Sequence, residues 1–125
     1  MLRTDFTDDA AWTSLCAAIQ SPQTEDDFVA YVECVSDPEF SGVIPDQLVA
    51  LNSGHTFIFV VDSMAVSDPD HPVLVVDLYH NPGRTFRVVP SEMWGVENNL
   101  SLANMDFDDF ANNTDARGVF RGFPA

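Results

Sequence analysis

The chain has 125 residues, 46% of them hydrophobic, with ten Phe, two Trp and two Tyr. That composition supplies one domain with a real core and argues against disorder, in spite of a net charge of -15. There is no lysine, so five arginines stand against twenty acids, and a direct nucleic-acid or anionic-membrane partner is disfavoured because phosphate contacts need clustered cations.

The N-terminal stretch has Arg3 and then Asp5, Asp8 and Asp9, with no apolar signal-peptide core behind it, which reads as a cytoplasmic protein. Thr7 is placed to cap a first helix, with Asp8 and Asp9 at its positive end. Ala11, Trp12, Leu15, Cys16 and Ile19 follow at helical spacing, and Pro22 stops the run. Phe28 to Val35 alternates in part, with Phe28, Ala30, Val32 and Cys34 on one side, and predicts a strand. Pro45 opens a short helix that ends at "SGH".

Two apolar, β-branched runs come next, 56–62 and 73–79, and both predict central strands. The apolar core of the first, Phe57 to Val61, is far short of the roughly 20 residues that span a bilayer. Each run carries an aspartate near its end. Only the short stretch "SMAVSDPDHP" separates them, too little for a parallel crossover of a dozen or more residues. An antiparallel link puts Asp62 and Asp77 at opposite ends of the sheet. "HNPGR" then turns the chain into a third strand, 85–89, with Gly83 at positive φ. If 80–84 is the loop, Asp77 faces Arg87 in a cross-strand ion pair.

After Pro90 the predicted elements are short helices. "PSEMWGVENNLSLANM" is helical but broken by Gly95 and by Asn98–Asn99. Asp106 is the expected N-cap of "FDDFAN", with Asp109 three residues on, and residues 119–125 form an apolar tail expected to dock on the sheet. The fold class is therefore α+β. The expected sheet is mainly antiparallel, a three-stranded meander (56–62, 73–79, 85–89) plus strand 28–35, with helices packed on one face.

Most catalytic and metal signatures fail. A calcium loop started at Asp106 would have Phe110, Ala111 and Arg117 where an oxygen ligand, glycine and glutamate are required. His55, His71 and His80 all fall in predicted loops without HExxH spacing, and no GxSxG, Walker A or GxGxxG occurs. Cys16 and Cys34 fit no CxxC pattern and are expected as two buried, reduced thiols. No metal and no cofactor are expected.

The stretches "MLRTDFTDDAAWTSLCAAI", "HPVLVVDLY" and "FRVVPSEMWGVENNLSLANMDFDDFA" together resemble a family of short acidic actinobacterial proteins filed as a domain of unknown function. The resemblance spans nearly the whole chain. It implies a bacterial cytoplasmic protein and carries neither an activity nor a functional residue.

Function therefore rests on charge. Residues 1–80 hold fourteen acids and one arginine. The reading is a small non-enzymatic binding protein, immunity- or antitoxin-like, that occludes a basic protein partner. Asp8, Asp9, Asp26, Asp27, Trp94, Asp106, Asp108 and Asp109 are the candidate contacts. The alternative is a small hydrolase or ligand-binding protein using carboxylates near residues 97–109, and the blandest case is an acidic housekeeping domain.

Overall fold

A computed structural model describes residues 1–123. Its spine is a five-stranded sheet in which spatial order follows sequence: β1 (Leu2–Arg3), β2 (Phe57–Val61), β3 (Val73–Asp77), β4 (Thr85–Val88) and β5 (Val119–Phe120). Five helices accompany it: α1 (Asp9–Ile19), α2 (Pro45–Ala50), α3 (Ser63–Ser67), α4 (Met93–Ser101) and α5 (Phe107–Ala111).

The class is α+β, but the sheet is mixed rather than mainly antiparallel. β2–β3 and β3–β4 pair antiparallel, whereas β1–β2 and β4–β5 pair parallel. Link length decides each case. Short connections reverse the chain between central strands. The long segments carrying α1 and α2, or α4 and α5, allow a parallel return at either edge. The apolar tail thus contributes β5, and its last two residues lie outside those described.

Strand alternation sorts the side chains into two layers. Phe59, Val61, Val75, Phe86 and Val88 meet Trp12, Leu15 and Ile19 of α1 together with Met93, Val96, Phe107 and Phe110. Leu2, Val60 and Val76 point the other way, under Leu48 of α2 and beside Phe40 and Val43. Helices therefore cover both faces, not one. Each fully buried Val, Leu, Ile or Phe in these layers contributes roughly 1.5–3 kcal/mol. The cap of α1 is Asp8, whose carboxylate accepts the Ala11 N–H at 3.0 Å. Thr7 instead donates its hydroxyl to Asp5 at 2.5 Å.

Phe28 to Val35 is not a strand. Residues 28–34 lack regular secondary structure, and Val35 alone bridges to Leu2. The expected sidedness is present: Ala30 is buried, and Val32 and Cys34 pack on the core. Among the described residues, no strand lies beside residues 28–34 to complete a ladder. The connection from β3 to β4 also departs from the expected register. Leu74 pairs with Arg87 and Val76 with Thr85, three residues away from an Asp77–Arg87 pair. Asp77, only 2% exposed, accepts the N–H groups of Tyr79, His80 and Asn81 at 2.9, 3.1 and 2.9 Å. That carboxylate builds a longer loop, closed where Asp77 bonds the Arg84 carbonyl, and Gly83 adopts φ +95° in it. As the antiparallel link requires, Asp77 lies opposite Phe57, at the far end of β2 from Asp62.

Candidate protein-binding surface

Every arginine is committed to a carboxylate. Arg3, almost fully buried, reaches Asp9 at 2.6 Å and lies over the rings of Phe6 and Trp12. Arg84 pairs with Asp108 and donates to Asn112. Arg87 grips both oxygens of Asp62 at 2.9 and 2.7 Å and donates to the Pro72 carbonyl. Arg117 meets Asp68 at 2.5 Å, and Arg121 meets Asp70 and Asp115 at 3.0 and 2.9 Å. Six acids thus absorb all five cations, and among the described residues the other fourteen have no arginine partner. Those fourteen acids carry nearly all of the net charge of -15.

The perturbed carboxylates are all perturbed downward. Hydrogen bonds from Arg121 and the Val119 N–H hold Asp115 at about 2. Arg117 holds Asp68 below its ordinary value. The Thr7 hydroxyl and N–H do the same for Asp5. Ion pairs and caps shift acids this way, whereas a carboxyl kept protonated for general-acid work shifts upward.

The predicted contact residues do not form one patch. Asp8 and Asp9 sit at the start of α1, one as cap and one paired to Arg3. Asp26 and Asp27 lie in an exposed turn where Asp27 takes φ +61°. Asp106, Asp108 and Asp109 open α5. There the Asp109 carboxylate accepts the Asp106 N–H at 2.8 Å, as expected of a helix start. No hydrogen bond or ion pair joins these three groups among the described residues. Trp94 is half-buried, its ring stacked on Phe28 at 4.8 Å, and Phe28 is 48% exposed.

A cavity of about 140 Å³ brings Asp77 and Asp106 to one lining. Asp77 spends its oxygens on three backbone N–H groups, so the pair does not read as an acid–base site. Among the described residues, no group of three His, Cys, Asp or Glu side chains is arranged to hold a metal ion. No described helix is long and apolar enough to cross a membrane. Cys16 and Cys34 are free and half-buried rather than fully buried, and both pack on the same core. Burial, with Cys34 as neighbour, pushes the Cys16 thiol up to about 12.

A family model described as a domain of unknown function, DUF6924, matches residues 1–123. The chain belongs to DUF6924. None of the curated proteins matches it. In this DUF6924 chain the residue that sequence reasoning failed to single out is Glu97. It is 8% exposed on α4, and its Oε1 accepts the Tyr31 N–H at 2.9 Å. A signal was present: Glu97 falls four residues after the buried Met93, on an otherwise apolar helical stripe.

Proposed function

We propose that this DUF6924 protein is a small non-enzymatic binding module whose acidic surface meets a basic protein partner, in the manner of an immunity protein or antitoxin. One observation carries the reading: all five arginines are consumed by internal ion pairs, so among the described residues fourteen acids have no arginine partner. A strongly negative net charge steers basic partners and speeds their encounter. Occlusion of the partner's own anion-binding cleft is the mechanism. Asp8, Asp26, Asp27 and Asp106, exposed and without an arginine partner, are the first contacts to test. Trp94, stacked on Phe28, is the aromatic contact of this reading.

The test captures partners from the source lysate at low and at moderate salt, then reconstitutes any retained basic protein in purified form. A stoichiometric complex that survives moderate salt and loses affinity in an Asp8→Asn, Asp26→Asn, Asp27→Asn variant supports the reading. A smear of basic proteins that washes off with salt, or none, overturns it.

A further inference from the structure

β1 is a strand with neighbours on both sides. Leu2 pairs with Val60 on one side and with Val35 on the other. The Val35 N–H donates to the Met1 carbonyl at 2.9 Å, and the Arg3 N–H donates to the Val35 carbonyl at 3.0 Å. Two interstrand spacings, about 9.5 Å, therefore separate β2 from the segment that ends at Val35. β1 covers only Val60 and Val61 of β2. The same register sets Met1 opposite Phe59, so the place of a strand is open alongside Phe57 and Ile58, and a cleft of about 490 Å³ occupies it. Tyr31 and Glu33 form one wall, His55, Phe57 and Phe59 the other, with Glu97 beneath.

The backbone of this slot is ready to pair. The Thr4 N–H donates to the Val61 carbonyl at 3.0 Å, so Val61 turns its polar groups toward β1. Alternation turns those of Phe59 and Phe57 to the same side. The register gives the Phe59 carbonyl to the Leu2 N–H, and no described strand pairs with the Phe59 N–H or with Phe57 there. The opposite wall is fixed in place: Phe28 stacks on Trp94, Ala30 is buried, and the Tyr31 N–H is held by Glu97. The slot is preformed, which lowers the ordering cost of adding a strand.

Charge selects the occupant. Glu33 and Glu97 line the slot and no arginine does. The Met1 ammonium lies at one end, already donating to the Glu33 carbonyl at 2.6 Å. We infer that this slot binds an extended cationic peptide segment of a partner protein, which continues the line of β1 and sets a Lys or Arg side chain against Glu97. Strand addition of this kind takes affinity from main-chain bonds and specificity from alternate side chains. The inference rests on the proposed function for the partner's charge and on the sheet alone for its conformation.

The probe is a short labelled peptide alternating lysine and valine. The control has the same sequence with alternate backbone nitrogens methylated, which keeps the charge and forbids strand pairing. Titration with the tag-free full chain is expected to favour the unmethylated peptide by at least about tenfold, since main-chain pairing is the difference. Amide exchange at Phe57 and Phe59 is expected to slow on binding. Glu97→Gln, which keeps an acceptor for Tyr31, is expected to weaken binding by about tenfold or more. Ser101→Arg, at an exposed position that also lines the slot, is expected to abolish it without altering the fold. Equal binding of both peptides overturns the slot and leaves the acidic-surface reading standing. Protection of the same amides through dimerisation, seen by sedimentation without peptide, also overturns it, because a second copy then fills the place. A lysate that yields no basic partner sinks the acidic-surface reading while leaving these peptide results intact.

Discussion

Removing the Asp77 carboxylate tests whether a buried acid, rather than a turn sequence, sets the β3–β4 register. Its three N–H···O bonds at 2.9, 3.1 and 2.9 Å are charge-assisted, and such bonds contribute roughly 1.5–3 kcal/mol each when both ends are buried. Here the donors sit in an exposed loop, where water takes over from the lost oxygens. Asp77→Ala is therefore expected to cost about 3 kcal/mol in total, well below the simple sum. Asp77→Asn keeps one acceptor and turns an NH₂ toward Asn81, so about half that loss is expected. Urea denaturation followed by circular dichroism reads both, at unchanged m-value. The same experiment carries a double-mutant cycle with Arg87→Met. Coupling between Asp77 and Arg87 is expected to be near zero, because Arg87 binds Asp62 instead. Coupling between Asp62 and Arg87 is expected to be about 1–2 kcal/mol for a half-buried bidentate pair. An Asp77→Ala cost below about 0.5 kcal/mol, or an Asp77–Arg87 coupling above about 1 kcal/mol, would refute the reasoning.

Other outcomes follow from neighbouring groups. Asp115, held at about 2, lies below its unfolded value of about 3.9. The stability it contributes is present above about pH 4 and lost as pH falls toward 2. An Asp115→Asn variant should be less stable than the parent at neutral pH and converge with it near pH 2, by acid titration of the denaturation midpoint. Cys16, pushed up to about 12, is expected to alkylate at pH 8 at least about a hundredfold more slowly than free cysteine, since only the thiolate reacts. Rapid labelling of Cys16 in peptide-mapped digests, with the fold intact, rules that environment out. Phe28→Ala removes the ring stacked on Trp94 at 4.8 Å. It should red-shift Trp94 emission in a Trp12→Phe background and cost about 1 kcal/mol beyond lost burial. An unmoved spectrum would place the two rings apart.

The central strands were legible because β-branched and aromatic runs of 57–61 and 73–77 have nowhere stable to go except the middle of a sheet. The α1 stripe of Trp12, Leu15 and Ile19 was legible by its period, and the start of α5 by its acids. What escaped depends on partners distant in sequence. β1 and β5 are two residues each, too short to show a pattern, and their parallel pairing follows from how the long connections pack. Phe28 to Cys34 carries a true alternation, yet alternation reports one buried side and not a hydrogen-bonded neighbour. The expected register came from taking 80–84 as the whole loop; the buried Asp77 carboxylate instead extends the loop back over residues 78–84 by holding the N–H groups of Tyr79, His80 and Asn81. Of the candidate surface, the acids of Asp8, Asp9 and Asp106–Asp109 were visible but largely explained by caps and ion pairs. The cleft was not visible, since an open strand position leaves no residue to read.

The position of Met1 bears on how this protein is handled. Its ammonium is mostly buried and bonded to the Glu33 carbonyl, and the direct continuation of β1 runs alongside Ile58 and Phe57. Any residues joined ahead of Met1, such as a purification tag, are delivered straight into that space. There they act as a tethered competitor at an effective concentration in the millimolar range. A bait carried on an N-terminal tag would then report no peptide binding from a fully folded molecule, while the same bait tagged beyond Phe123 would report it.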